Sequence, residues 1–149
     1  MNKTMVTVSS LLACIFMIAC GDGSHLVAID DATISDMETV KTAVRAWEKQ
    51  GHLFNFMKTS EIVGTIFNQP DITIIYDTNF DKNEFCFAIC SVPDSAGKCC
   101  IHTKTMNKVI IAHEVGHALG LKDNTNYGSI MFPSLDTTNK DFSWFNEFK

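Results

Sequence analysis

A pair of histidines one helical turn apart constrains this chain more than any other feature. Residues 113–123 read His113-Glu114-Val115-Gly116-His117-Ala118-Leu119-Gly120-Leu121-Lys122-Asp123, the pattern H-E-x-x-H-x-x-G-x-x-D, and Ser129-Ile130-Met131-Phe132-Pro133 follows shortly after. Residues four apart on a helix lie one above the other on one face, so His113 and His117 offer two imidazoles to a single ion. Glu114 stands on the flank of that pair, within reach of a water on such an ion. Gly120 lets the chain leave the helix sharply, and Asp123 then returns a carboxylate oxygen to the same point. Three protein donors and one open position describe a catalytic zinc site, whereas structural sites are closed by four. The pentad alone would also fit a surface helix with two unrelated histidines. The glycine, the spaced aspartate and the Ser-Ile-Met-Phe-Pro segment argue against that reading. His25, His52 and His102 are isolated and read as surface or strand residues rather than ligands.

Such a site needs a core to hold it, and 149 residues with 46% hydrophobic content are enough for one domain. There is no internal repeat, low-complexity tract or long charged run. The formal charge of −5, without a basic cluster, argues against nucleic acid as a partner. Lys3 precedes an uncharged apolar run from Thr4 to Ala19, too short for a membrane span and placed like a secretory signal. Met17-Ile18-Ala19-Cys20, followed by Gly21-Asp22-Gly23-Ser24, resembles the lipobox of bacterial lipoproteins. The expectation is a signal peptide over residues 1–19, a lipid on Cys20 and attachment to a bacterial cell envelope. Leu11-Leu12-Ala13-Cys14 fits the same pattern but would leave a very short signal. An ordinary signal peptide with secretion, or an uncleaved anchor, stays open. Residues 20–34 are expected to be a tether with a short strand, and residues 35–149 the functional domain.

Cys86, Cys90, Cys99 and Cys100 then remain. An even count in an exported small domain suggests two disulfides. A Cys99–Cys100 bridge would be strained, so the two other pairings both staple Cys86 and Cys90 to the adjacent pair. Pro93-Asp94-Ser95-Ala96-Gly97 between them reads as a turn, and the bridges would clamp a hairpin. A four-thiolate zinc site is the alternative, although adjacent cysteines fit a tetrahedron poorly.

Along the chain, Val27 to Ile29 reads as a short strand. Ser35-Asp36-Met37-Glu38 reads as a capping box. Met37, Val40, Val44 and Trp47 recur at helical spacing, and Gly51 closes that helix. Leu53 to Phe56 is extended, and Asp71-Ile72-Thr73-Ile74-Ile75-Tyr76 is a buried strand. Asp77, Asn79 and Asp81 resemble half a calcium loop, but the glycine at its sixth position and the glutamate at its twelfth are missing. Residues 77–84 are therefore read as a solvated loop, and calcium is not expected. Phe85 to Cys90 and Cys99 to Thr105 form the hairpin. Thr105 caps a helix of about Met106 to Leu119, with Ile111, Val115 and Ala118 facing the sheet. A short aromatic helix from about Asn139 to Phe148 closes the base with Phe142, Trp144 and Phe145.

With these residues in view, the chain resembles the metzincin metalloproteases, most of all their matrixin branch, with its H-E-x-x-H-x-x-G-x-x-H helix and Met-turn. The likeness is specific from about Val109 to Pro133 and general over Ser35 to Lys149. It implies an α+β, zincin-like fold: a small twisted mixed sheet with an N-terminal helix, an active-site helix and a C-terminal helix. It also implies a zinc-dependent endopeptidase acting on protein or peptide, with His113, His117 and Asp123 on the metal and Glu114 as general base. Met131 would be a packed floor beneath the histidines. The departure is Asp123, where most of the family has a third histidine; the snapalysin type of bacterial secreted protease has an aspartate there. The tyrosine that some metzincins carry two residues after the Met-turn methionine is replaced by Pro133.

The chemistry expected of that set is hydrolysis by zinc-activated water, with the peptide held extended along an edge strand near Ile101 to Thr103. A monomer is expected. The rival is a metzincin-like envelope lipoprotein that binds without cleaving; the intact Glu114 argues against it, since a binder does not need a general base. A structural zinc lipoprotein is a further rival, against which the open coordination position counts.

Overall fold

The computed structural model describes residues 23–62, 69–80, 88–91, 93–133 and 141–149. Five strands, β1 (Ser24–Ile29), β2 (Leu53–Lys58), β3 (Ile72–Tyr76), β4 (Ala88–Cys90) and β5 (Cys99–Thr103), form one sheet in the order β2-β1-β3-β5-β4. β1 runs parallel to β2 and β3, and β3 parallel to β5. Interior parallel strands are covered on both faces and read as continuous apolar runs. Val27, Ala28 and Ile29 of β1 are accordingly all fully buried. The tether expected after the signal thus ends at an interior strand.

Parallel neighbours need a crossover, and the first is helix α1 (Met37–Arg45), prolonged by a 3-10 turn over Ala46–Gln50. Its cap is Asp36, whose carboxylate accepts from the Thr39 N–H at 3.0 Å, and not Ser35. Glu38 is then too early to close a capping box and pairs instead with Lys41 at 2.9 Å. Val40, Val44 and Trp47 are buried as their spacing predicts, and Gly51 ends the element at φ 87°, a conformation that costs glycine little.

The β4–β5 hairpin also forms, in antiparallel register with Cys90 opposite Ile101. Asp94 organises its turn, its carboxylate accepting from the N–H groups of Ala96 and Lys98 at 2.8 and 2.9 Å. β5 is paired on both sides, so it is not the edge expected to receive a peptide. Among the described residues the outer strand on that side is β4, because the hairpin folds back outside β5.

The second helix, α2 (Lys108–Ala118), starts two residues later than expected. Asn107 caps it, accepting from the Val109 and Ile110 N–H groups, while the Thr105 hydroxyl accepts from Asn107 N–H at 3.2 Å. Ile111 and Val115 are fully buried. The Trp47 indole N–H donates to Ala112 O at 2.9 Å and ties the first crossover to α2. In place of a regular C-terminal helix the chain makes two 3-10 turns, Phe142–Trp144 and Asn146–Phe148. Phe145 and Phe148 enter the core, while Trp144 stays 41% exposed. Phe148 meets Trp47 edge-on at 5.1 Å. Among the described residues no helix is long and apolar enough to cross a membrane.

Candidate metal centre

His113 and His117 project from one face of α2, their Nε2 atoms 3.1 Å apart. Gly120 takes φ 88° and turns the chain back, which brings Asp123 Oδ1 to 3.5 Å from each Nε2. Among the described residues these three side chains are the one group of His, Cys, Asp and Glu whose donor atoms lie within 4.8 Å of one another. His25, His52 and His102 stand on or beside strands, away from this group.

The other ring nitrogens fix the protonation of the histidines. His113 Nδ1 lies 2.8 Å from Ile130 O, and His117 Nδ1 lies 3.0 Å from Leu121 O. A carbonyl only accepts, so each Nδ1 carries the proton and each Nε2 of the neutral ring presents a lone pair. Burial holds the His113 pKa below its ordinary value, which favours that neutral form. Two lone pairs and a carboxylate oxygen facing one point repel one another unless a cation sits between them. A tetrahedron with ligand bonds of about 2.0–2.1 Å has edges of about 3.3–3.4 Å, and the observed separations of 3.1 and 3.5 Å bracket that length. The donor set therefore fits a zinc ion.

Glu114 follows His113 on α2 and is 7% exposed, near enough to His117 and Asp123 for their charges to act on its carboxyl. Burial pushes its carboxyl pKa up, opposed by His117 and by a backbone hydrogen bond from Cys90 on β4. Such a carboxylate is a better proton acceptor than an exposed one. Met131 lies beneath α2 with its sulfur against Gly116, between the two histidines in sequence. The Met-turn itself is held by Glu147. Its carboxylate accepts from the Ile130 N–H at 3.0 Å and from the Ser129 hydroxyl.

Sequence reasoning did not find Ile130 O, Leu121 O, Cys90 N–H or Glu147. Three of these are backbone groups, which any residue carries, and Glu147 is a single acid in an aromatic tail, with nothing local to mark its role. Of the cysteines, Cys90 and Cys99 sit together on the α2 side of the sheet, whereas Cys100 lies 3.3 Å from His102 Nε2. All three are free thiols in the structure. Cys86, Cys20, Cys14 and the second half of the calcium-like segment lie outside the described residues. Within that segment, Asp77 closes a local turn by accepting from Asn79 N–H at 2.8 Å.

Comparison with known families gives one result. The family model described as Matrixin matches residues 28–146, from β1 to the last 3-10 turn. No curated protein matches the chain.

Proposed function

The chain belongs to the matrixin family, whose members are zinc metallopeptidases, and we propose that it is an endopeptidase with Glu114 as general base and Asp123 as third metal ligand. One observation carries this reading: two Nε2 atoms, each on a ring whose Nδ1 donates to a backbone carbonyl, and the Asp123 carboxylate converge beside a buried carboxylate. Zinc bound there supplies Lewis acidity, which polarises a carbonyl and makes water more acidic. His113, His117 and Asp123 hold the ion, and the two carbonyls behind the rings keep the imidazoles aimed. Glu114 takes a proton from the attacking water and returns it to the leaving amide nitrogen. The Cys90 N–H keeps one side of that carboxylate in place. A peptide aligned along β4 extends the sheet by one strand, and the hydrogen bond from β4 to Glu114 sets such a peptide next to the base.

Export agrees with this chemistry, because an extracytoplasmic peptidase meets its substrates outside. We place the protein in a bacterial envelope through a lipid on Cys20, or as a secreted enzyme if the signal is cut elsewhere. The rival, a binding protein that does not cleave, predicts zinc without turnover. The test is zinc content together with casein or peptide hydrolysis, for wild type and Glu114→Ala. The expected result is equal zinc in both proteins and hydrolysis reduced by about 10²–10⁴-fold in the variant. Zinc-loaded wild type without turnover supports the binder, and equal turnover by both proteins rejects Glu114 as base.

A further inference from the structure

We propose that Cys90 and Cys99 form a disulfide that staples the substrate-edge strand β4 to β5 beside Glu114. The sequence left two pairings open, Cys86–Cys99 with Cys90–Cys100 or Cys86–Cys100 with Cys90–Cys99. The sheet separates them. In the register of the hairpin, Cys90 is directly opposite Ile101, so Cys99, two residues back along β5, is its diagonal neighbour on the same face. The two side chains are close enough to act on each other's titration, while the Cys90 thiol donates to Ser91 O at 3.3 Å. Cys100 points to the opposite face, with its sulfur at His102. A Cys90–Cys100 bridge would have to pass through the sheet, and this excludes the first pairing.

The environment suits a lasting bridge better than a reactive thiol. Burial pushes the Cys90 thiol up to about 12 and also raises Cys99. Thiols of high pKa are poor leaving groups in exchange, so a bridge between them resists reduction. Formation is by thiol–disulfide exchange with an external disulfide, a small molecule or an oxidoreductase of the exporting compartment. The donor's S–S bond breaks and takes up two electrons and two protons as two thiols. Cys90 and Cys99 lose one hydrogen each and form the new S–S bond.

The bridge has a consequence for the site, which rests on the proposed role of Glu114. Cys90 also gives its backbone N–H to the Glu114 carboxylate, so fixing Cys90 to β5 fixes both the base and the strand that a peptide would join. The bridge is thus a positioning device and not part of the reaction.

The test starts with the double variant Cys86→Ser/Cys100→Ser, purified without reductant. The expected result is a linked pair of tryptic peptides, one containing Cys90 and the other Cys99, separated by cleavage after Lys98. Free, alkylatable Cys90 and Cys99 in this variant overturn the proposal. Should the variant not fold, partial reduction and mapping of the wild type decides: a Cys90–Cys100 or Cys86–Cys99 linkage also overturns it. These readouts are masses and do not depend on turnover, so they stand apart from the peptidase reading. For the consequence, Cys99→Ser in the zinc-loaded enzyme should raise KM for peptides several-fold, and wild type treated with reductant should match it. Unchanged kinetics in both would leave a bridge without the positioning role and reject that role.

Discussion

Gly116 is packed so tightly against Met131 that there is no room for a β-carbon between them. A Cβ at this position would also stand 2.8 Å from the Trp47 ring. The helix can therefore lie directly on the Met-turn, and the carbonyl of Ile130, one residue before Met131, reaches His113. Gly116→Ala should force Met131 and Trp47 aside. Overpacking of this kind costs about 1–3 kcal/mol, and zinc affinity should fall with it. Chemical denaturation of the metal-free protein and a zinc titration measure the two effects. A variant as stable as wild type with the same zinc affinity would show that the contact relaxes freely.

Asp123 is the proposed ligand that departs from the usual pattern. Its side chain is half exposed, so removing it should do little to folding. Asp123→Ala should lose zinc and activity together, read by metal analysis of the dialysed protein. Asp123→His should recover only part of both, because a longer imidazole must fit a loop shaped for a short carboxylate. Full zinc occupancy and normal kinetics in the alanine variant would end the assignment.

Glu147 is linked to His113, a proposed metal ligand, through Ile130. It holds Ile130 N–H, and Ile130 O holds the His113 ring. Glu147→Ala should leave the Ile130 amide without its acceptor, at about 1–3 kcal/mol. It should also weaken zinc binding by about 10–100-fold, the usual scale for groups behind the ligands. Glu147→Gln keeps an acceptor and should recover much of the loss. Identical zinc affinities for wild type and the alanine variant would mean that the turn is held without this carboxylate.

Asp36 gives the acid limb of stability a named component. The Thr39 hydroxyl and then the Thr39 N–H hold its carboxyl below the ordinary 3.8. A depressed folded pKa means that the charged cap stabilises the native state fully above the unfolded value, and that this is lost as pH falls through the folded one. The Tm difference between wild type and Asp36→Ala should therefore be constant near neutrality and shrink below pH 3.8. A gap independent of pH down to acid unfolding would assign the difference to packing.

On the proposed reading, a lipid on Cys20 decides where the protein resides. One acyl chain anchors only marginally, and stable attachment needs more than one hydrophobic anchor or signal, as bacterial lipoproteins provide. Cys20→Ser should block processing or move the protein out of the membrane fraction. Unchanged fractionation, with no lipid on the purified N-terminus, would reject the anchor and leave secretion.

The sequence by itself determined the parts whose physics is local. The spacing of His113 and His117 sets them on one helical face, Gly120 permits the turn to Asp123, and the β-branched run at residues 72–76 marks a strand that β1 and β5 then pair on both sides. The stripe of Val40, Val44 and Trp47 fixed the buried face of α1 in the same way. Local rules failed where two chemically equivalent choices lay close together. Ser35 against Asp36 and Thr105 against Asn107 are pairs of competent caps, and the first turn's geometry chose the second member each time. The aromatic tail carried no periodicity strong enough to show that it would form two 3-10 turns, with Phe145 and Phe148 in the core. What only the tertiary structure decided involves partners far apart in sequence. The hairpin's fold-back makes β4 the edge and buries β5. Strand register separates Cys99 from Cys100, because neighbouring residues of a strand face opposite sides. The tautomers of His113 and His117 depend on the carbonyls of Ile130 and Leu121, and the Ile130 N–H is in turn held by the Glu147 carboxylate at the far end of the chain. Backbone groups have no signature in the sequence, so their roles exist only once the chain has folded around them.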